Sequence, residues 1–202
     1  MQCTTSILSA LVIPAYHQIL RPARYLEIGV RHGDSLRLAL PETMCIGVDP
    51  APLLNQPLLS NTRIFSLPSN EFFRSQTLED IWGANTFSLA FLDGQHLFEQ
   101  ALLDFAHLEQ LATPGSIIMI HDCLPLDAET SYRTRCTDFY SGDVWKLAMC
   151  LKNHRPDLRI KTIKTSPTGL CVVPESGVKM PISGLERLQP VKLCEYVSGQ
   201  VS

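Results

Sequence analysis

The sequence lacks the features that mark membrane, secreted and disulfide-rich proteins. Its apolar stretches, such as residues 117–120, are of core-strand length and too short to cross a bilayer. Residues 1–5 lack the basic segment of a secretory signal. The seven cysteines form no CxxC pair, and an odd number of scattered cysteines is typical of reduced thiols in the cytosol. We therefore expect a cytoplasmic protein that is not inserted in a membrane.

The sequence also has no large excess of charge of one sign. It contains 17 Lys and Arg against 20 Asp and Glu, so its net charge is -3. This balance, without a basic stripe interleaved with aromatic residues, excludes a protein built to coat nucleic acid. The hydrophobic fraction of 45% and the charged fraction of 18% are typical of globular proteins and exclude disorder. We expect one domain over residues 1–174 and a tail of unassigned packing over residues 175–202.

Five short apolar runs predict buried strands. They lie at residues 25–29, 45–49, 63–67, 87–94 and 116–122. Apolar residues at helical spacing predict helices at residues 7–20, 36–40, 69–82, 97–111 and 143–153. Strands that are apolar throughout and alternate with helices are typical of an α/β fold with a parallel sheet covered on both faces. Two further runs, at residues 159–164 and 169–173, predict an antiparallel pair.

Acidic or histidine side chains lie at the ends of four predicted strands. Glu27 lies at the end of the first strand, Asp49 ends the second and Asp93 ends the fourth. His121 and Asp122 end the fifth strand. Ligands of open parallel sheets bind at the carboxyl ends of the strands. Polar residues are also common at strand ends because these ends reach the surface, but four such ends favour a ligand site.

The turn after the first strand differs from a dinucleotide-binding loop. Glu27 stands where the GxGxxG motif has its first glycine, and Gly29 and Gly33 lie four residues apart. Gly29 lets the chain pass close to a ligand, and Gly33 lets the next helix begin against it. The carboxylate of Glu27 would repel a pyrophosphate but can hold a cationic amine, and Asp49 can bind a ribose diol. The pattern predicts an adenosine ligand that carries an amino acid.

Four segments of the sequence resemble class I S-adenosylmethionine-dependent methyltransferases. They are LEIGVRHGDSL, CIGVDP, FSLAFLDGQHLFEQALLDF and LATPGSIIMIHD. The resemblance covers residues 20–175 and is closest to a small-molecule subgroup whose fourth strand ends in DGxH and whose fifth ends in HD. It implies a Rossmann-like, doubly wound, mostly parallel sheet of seven strands with a C-terminal antiparallel strand. It also implies S-adenosylmethionine as the cofactor.

The resemblance implies a cofactor site residue by residue. Glu27 and Gly29 match residues around the methionine moiety, and Asp49 matches a residue that binds the ribose hydroxyls. The residues at 69 and 70 match positions that approach the adenine, although they are equally suited to cap the predicted helix. The full set of implied cofactor-binding residues is Glu27, Gly29, Val30, Gly33, Asp49, Ser69, Asn70 and Asp93.

Methyl transfer requires aligned reactants and a base that removes a proton from the acceptor. His96, three residues after Asp93, is the predicted general base, and its alternative is a histidine that packs at a helix start. A second hypothesis is a divalent metal held by Asp93, His121 and Asp122, since some relatives bind a cation at these strand ends. A histidine there shifts preference from magnesium to transition metals. The alternative is that Asp93 caps the next helix and that His121 or Asp122 orients His96.

The expected acceptor is a small molecule with a hydroxyl group. The chain is short and has no separate cap domain, which favours a small acceptor or a pocket built by a dimer. Residues 123–142 contain aromatic and arginine side chains that suit a planar or anionic acceptor, a plain surface loop or a homodimer contact equally. These side chains are Tyr132, Arg133, Arg135, Phe139 and Tyr140. Two other functions stay open at this point. One is a non-catalytic S-adenosylmethionine-binding protein, and the other is a nicotinamide-binding oxidoreductase, which Glu27 and the missing third glycine disfavour.

Overall fold

The computed structural model describes residues 11–177 and Lys179. The first part of the helix predicted at 7–20 and most of the tail predicted at 175–202 lie outside these residues. The described strands are β1 Arg24–Ile28, β2 Met44–Val48, β3 Thr62–Phe65, β4 Phe87–Leu92, β5 Ala112–His121, β6 Lys161–Ile163 and β7 Leu170–Pro174. The described α-helices are α1 Ile13–Leu20, α2 Ser69–Ser75, α3 Leu78–Trp82, α4 Phe98–Leu111 and α5 Trp145–His154. None of these helices has the length and apolar character needed to span a membrane.

The strands form one seven-stranded sheet in the order β3-β2-β1-β4-β5-β7-β6. Strands β1 to β5 pair in parallel, whereas β7 is antiparallel to both β5 and β6. Leu26 of β1 lies opposite Ile46 of β2, and Ile120 of β5 lies opposite Cys171 of β7. The predicted doubly wound, mostly parallel sheet with a C-terminal antiparallel strand is therefore confirmed.

Hydrophobic clusters cover both faces of the sheet. Helices α2 to α5 pack on one face, where Leu26, Ile46 and Leu102 are fully buried. Helix α1 and a 3-10 turn pack on the other face around Tyr25 and Met119. A fully buried Leu or Met contributes about 1.5–3 kcal/mol, so this packing outweighs any local helix preference. The two clusters hold the carboxyl ends of β1, β2, β4 and β5 at one edge.

Two predicted helices differ from the observed ones. The helix expected at 69–82 is broken into α2 and α3, because Thr77 is extended and its side chain accepts from the backbone N–H of Asp80 to cap α3. The helix expected at 36–40 is a single 3-10 turn at Leu36–Leu38. Ser35 does not cap this turn, since its hydroxyl donates to a carboxylate of β1 instead.

Strand β5 also begins earlier than expected. Residue 112 already pairs with Phe87 of β4, so the proline and glycine at 114 and 115 lie inside the strand rather than before it. The register between β4 and β5 shifts between Phe87 and Leu89, which accommodates this irregular stretch.

Candidate functional site

A cavity of about 990 Å³ opens at the carboxyl ends of β1, β2, β4 and β5. Its wall brings together most of the side chains that the sequence singled out, although they come from distant parts of the chain. These are Gly29, Val30, Asp49, Ser69, Asn70, Asp93, His96, His121 and Asp122. Glu27 and Gly33 are not in the wall.

The glycine after β1 allows the carboxyl ends of β1 and β4 to lie close together. Gly29 has a φ of 89°, and a Cβ at this position would lie 2.0 Å from the carbonyl oxygen of Asp93. The backbone N–H of Asp93 donates to the carbonyl of Ile28 at 2.8 Å. The missing side chain of Gly29 thus makes room for the backbone at the end of β4, and Gly29 itself lines the cavity.

Glu27 lies behind the cavity wall and is fully buried. Its carboxylate accepts from the Tyr25 hydroxyl at 2.7 Å and from the Ser35 hydroxyl at 2.6 Å. Burial raises the pKa of Glu27 to about 8, although both hydroxyls oppose this rise. Ser35 does line the cavity. A cationic amine in the cavity would meet Ser35 first, with Glu27 immediately behind it.

Asp49 holds the turn after β1 in shape. One carboxylate oxygen accepts from the backbone N–H groups of Val30 at 2.9 Å and Arg31 at 2.8 Å. The other oxygen accepts from the N–H of Ala51 at 2.8 Å. Because a carboxylate offers roughly four acceptor sites, about one remains for a ligand hydroxyl. Asp49 thus links β2 to the turn after β1 and still presents an acceptor to the cavity.

Ser69 and Asn70 do not cap α2, which begins after Pro68 without a side-chain cap. Their side chains bond instead to Gln100 of α4, a residue that the sequence did not single out. Gln100 donates to the Ser69 hydroxyl at 3.2 Å and exchanges hydrogen bonds with the Asn70 amide at 2.9 and 3.3 Å. It also donates to Asp104, whose pKa burial raises to about 6. The helix-cap alternative is excluded, and the amides form one polar patch of the wall.

Two carboxylates and two imidazoles meet at the ends of β4 and β5. The Nδ1 atom of His121 lies 3.1 Å from Asp93 Oδ1 and 3.5 Å from Asp122 Oδ1. His96 bridges the same acids, with Nε2 at 3.5 Å from Asp93 Oδ1 and Nδ1 at 3.3 Å from Asp122 Oδ2. These four residues are called the His/Asp cluster below. Asp93 therefore contacts imidazoles and does not cap α4, whose first N–H donates to Asp143 at 2.7 Å.

The cluster perturbs the acidity of its own members. Burial opposes protonation of His121, but Asp93 and Asp122 outweigh it and raise the pKa of His121 to about 9. The same acids raise the pKa of His96 against the effect of burial. Burial would raise the pKa of Asp93, yet the two imidazoles lower it well below its usual range, whereas burial keeps the pKa of Asp122 raised. Such opposed shifts in one cavity are typical of sites that move protons.

Thr168, which the sequence did not indicate, comes from the turn between β6 and β7. Its hydroxyl donates to Asp122 Oδ1 and lies 3.3 Å from Nε2 of His121. Thr168 is fully buried, and Asp122 has a left-handed backbone with a φ of 60°. The hydroxyl therefore fixes both side chains that end β5 in one orientation.

The residues that could hold a metal differ from the predicted set by one histidine. Asp93, His96 and Asp122 each offer a ligand atom, and these atoms lie within 4.8 Å of one another. The Oδ2 atom of Asp122 is buried and makes no hydrogen bond within the described chain, so it is a ready ligand. His121, which was predicted as a ligand, is engaged with Asp93 and Thr168 instead. A nitrogen ligand beside carboxylates suits a transition metal better than magnesium.

The segment after β5 closes over His96. The rings of His96 and Tyr140 stack with centroids 5.5 Å apart, and the Tyr140 carbonyl lies 3.0 Å from Nδ1 of His96. Gly142, with a φ of 59°, packs so closely that a Cβ would lie 1.9 Å from the His96 carbonyl oxygen. Arg135, Phe139 and Tyr140 line the cavity.

Two other side chains of this segment lie outside the wall. Arg133 forms an ion pair with Glu99 and another, at 2.8 Å, with buried Asp143, so it anchors the segment to α4. Tyr132 is exposed and is not part of the cavity. This segment therefore contributes Arg135, Asp138, Phe139 and Tyr140 to the cavity wall.

Comparisons with known proteins agree with the fold described above. Residues 26–123 match the model of a methyltransferase domain family. The O-methyltransferase TomG from Streptomyces achromogenes, solved in complex with SAM, aligns with a TM-score of 0.61 at 16% identity, over 82% of this chain and 78% of that one. SAH-bound methyltransferase PaMTH1 from Podospora anserina aligns with a TM-score of 0.58 at 14% identity, over 81% and 76%. An O-methyltransferase from Bacillus cereus in complex with SAH aligns with a TM-score of 0.56 at 13% identity, over 81% and 79%. No curated protein sequence matches the chain significantly.

Proposed function

We propose that this chain, which has the class I methyltransferase fold and matches a methyltransferase domain over residues 26–123, transfers a methyl group from S-adenosylmethionine to a hydroxyl of a small molecule. One observation carries the proposal. A single cavity joins the turn after β1 and the carboxylate that ends β2 to a cluster of acids and histidines at the ends of β4 and β5. The first half suits an adenosine ligand with an amino acid, and the second suits removal of a proton.

On the cofactor side, each moiety has a candidate partner in the wall. The free acceptor capacity of Asp49 suits a ribose hydroxyl, and the Ser35 hydroxyl in the wall suits the amino group. The patch of Ser69, Asn70 and Gln100 carries amide donors and acceptors of the kind that bind an adenine edge. Two compared structures hold SAH and one holds SAM, which supports the same ligand class here.

On the acceptor side, His96 is the candidate general base. S-adenosylmethionine supplies a methyl group on a good leaving group, so this chain has to align the acceptor and accept its proton. Asp93 and Asp122 flank His96 and stabilise the imidazolium that forms. The stacked ring of Tyr140 fixes the imidazole plane, and Arg135 and Phe139 at the same wall suit a planar or anionic acceptor.

A divalent cation is the second candidate for activating the hydroxyl. Asp93, His96 and Asp122 would hold it, and it would lower the pKa of a coordinated acceptor hydroxyl. The two roles of His96 compete, because a nitrogen that ligates a cation cannot also accept the acceptor's proton. Activity that survives complete chelation of divalent ions would leave His96 as the base.

The test is a methyl-transfer assay with S-adenosylmethionine labelled in its methyl group and a panel of small hydroxyl compounds. We expect the label to appear in an aromatic or carboxylate-bearing acceptor. One S-adenosylhomocysteine should form for each labelled methyl group transferred. Asp122→Asn, which keeps the side-chain volume, should slow this transfer about a hundredfold or more. Binding of S-adenosylmethionine without transfer to any acceptor, with or without added divalent ions, would contradict an enzymatic role.

A further inference from the structure

A second cavity, of about 540 Å³, lies on the chain between the segment after β5, helix α5 and strand β6. It shares no lining residue with the cavity at the strand ends. Its volume falls in the range of sites that hold small organic ligands. The cavity is therefore large enough for a ligand of its own, which the proposed methyl transfer does not use.

One wall of this second cavity is apolar. Helix α5 contributes Trp145, Ala148 and Met149, which share a face of the helix because they are three and four residues apart. Leu124 and Pro125 contribute from the segment after β5. The Met149 side chain is 52% exposed, so the apolar surface is open to solvent and not sealed by the fold.

One edge of the cavity is positively charged. Lys152 continues the same helix face, and Lys164 follows β6. The ammonium of Lys152 donates to the Thr162 hydroxyl at 2.8 Å, which holds it at this edge. Within the described chain, neither lysine has a carboxylate within 4.0 Å, whereas Lys146, earlier on α5, pairs with Asp143 at 3.0 Å.

The acid that lines the same cavity, Asp127, forms no ion pair with these lysines within the described residues. Asp127 lies in the segment after β5, and its Oδ1 atom accepts from the backbone N–H of Thr130 at 2.8 Å. These hydrogen bonds lower the pKa of Asp127, so it keeps its negative charge within its own turn. The cavity thus combines an apolar wall with an edge of two lysines that form no ion pair with any described residue.

We propose that the second cavity binds an amphipathic organic anion, with its carboxylate between Lys152 and Lys164 and its apolar body against Met149 and Trp145. The apolar surface favours the body of such a ligand, and the lysines select an acid over an amine of the same shape. Because Cys123 lines this cavity and directly follows Asp122, the ligand lies against the segment that carries His121 and Asp122.

The test uses octanoate and octylamine, which differ in the charge of one end. Each is titrated against the full chain, with and without saturating S-adenosylhomocysteine, by displacement of the fluorescent probe 8-anilinonaphthalene-1-sulfonate. We expect octanoate to displace the probe equally in both conditions, and octylamine to bind about tenfold more weakly or not at all. The condition without S-adenosylhomocysteine keeps the result independent of the proposed methyl transfer.

Two variants and a control complete the test. The double variant Lys152→Gln with Lys164→Gln should weaken octanoate binding about fivefold or more, and Met149→Glu should abolish it by placing a like charge on the apolar wall. Lys161→Gln removes an exposed lysine of β6 that does not line the cavity and should bind octanoate like wild type. Circular dichroism checks that each variant is folded. Equal affinity for octanoate and octylamine, or unchanged octanoate binding in the double variant, would overturn the proposal.

Discussion

Carboxylates end four strands of one sheet, yet those at β1 and β2 are used differently from those at β4 and β5. Glu27 and Asp49 accept hydrogen bonds from neutral hydroxyl and backbone donors, so they shape the turn between the first two strands. Asp93 and Asp122 instead face imidazoles, and one buried oxygen of Asp122 is left without a hydrogen bond. Residues of the same type at equivalent positions thus shape a turn on one side of the cavity and form the His/Asp cluster on the other.

The largest loss of activity is expected from a change in the His/Asp cluster. Changing His96→Ala should slow methyl transfer about a hundredfold to ten-thousandfold, because it removes the base and the contact between the two acids. Affinity for S-adenosylhomocysteine should stay within about twofold of wild type, since the cofactor side is untouched. His154→Ala, at the end of α5, is the matched control and should keep full activity. Equal rates for the His96 variant and the control would assign His96 a packing role.

The free energy of unfolding should depend on pH because of Glu27 in β1. The pKa of Glu27 is raised to about 8 in the folded chain, so the folded state holds a proton that the unfolded state releases at lower pH. The contribution of Glu27 is therefore fully present below the unfolded pKa of about 4.5 and is lost as pH rises through 8. Between about pH 5.5 and 7.5 this loss amounts to about 2–3 kcal/mol of the free energy of unfolding.

Urea unfolding of wild type and Glu27→Gln at several pH values measures this loss. The variant cannot ionise, so its free energy of unfolding should fall less over the same pH interval, with wild type as the reference. Parallel pH profiles for the two proteins would contradict the buried, proton-holding role of Glu27.

A smaller effect, on the affinity for the cofactor, is expected from changes to Asp49 at the end of β2. Asp49→Ala removes the acceptor for three backbone N–H groups and the remaining site for a ribose hydroxyl. We expect S-adenosylhomocysteine to bind about 1–3 kcal/mol more weakly. Asp49→Asn keeps one side-chain oxygen and should lose about half as much binding free energy. Calorimetry that finds unchanged affinity in the alanine variant would place the ribose elsewhere.

The smallest effect is expected from the turn between β6 and β7. Thr168→Val keeps the shape of the side chain but removes the hydroxyl that orients Asp122 and His121, which should lower kcat about tenfold with little change in KM for S-adenosylmethionine. Thr168→Ser restores the hydroxyl and should restore the rate. Thr165→Val, at a buried hydroxyl that makes no hydrogen bond to the described part of the chain, is the control and should leave kcat unchanged. A serine variant as slow as the valine variant would assign Thr168 a packing role.

The fold could be predicted because its signals are local. Largely apolar runs such as β4 mark buried strands, and the glycine turn with its flanking acids marks the edge where the large cavity opens. The break between α2 and α3 escaped prediction, since the apolar residues on both sides keep a helical spacing and only the cap by Thr77 separates them.

The site was predictable in its strand ends but not in the residues that orient them. Gln100 contacts Ser69 across 31 positions, and Thr168 contacts His121 across 47. Neither contact can be predicted from composition or from residue spacing, because the partners are far apart in the sequence and meet only when the sheet forms. The candidate metal set contains His96 instead of the predicted His121 for the same reason. Thr168 contacts His121 and Tyr140 contacts His96, and the sequence does not show either contact.

The most direct measurement is a calorimetric titration of the full chain with S-adenosylmethionine, S-adenosylhomocysteine and NAD, with and without divalent ions. We expect one site per chain that binds both sulfur ligands at about micromolar affinity and does not bind NAD. Asp49→Ala should weaken the binding of both sulfur ligands, while His96→Ala should weaken the binding of neither. Binding of NAD alone, or failure of both sulfur ligands in every condition, would contradict the assignment of this cavity to S-adenosylmethionine.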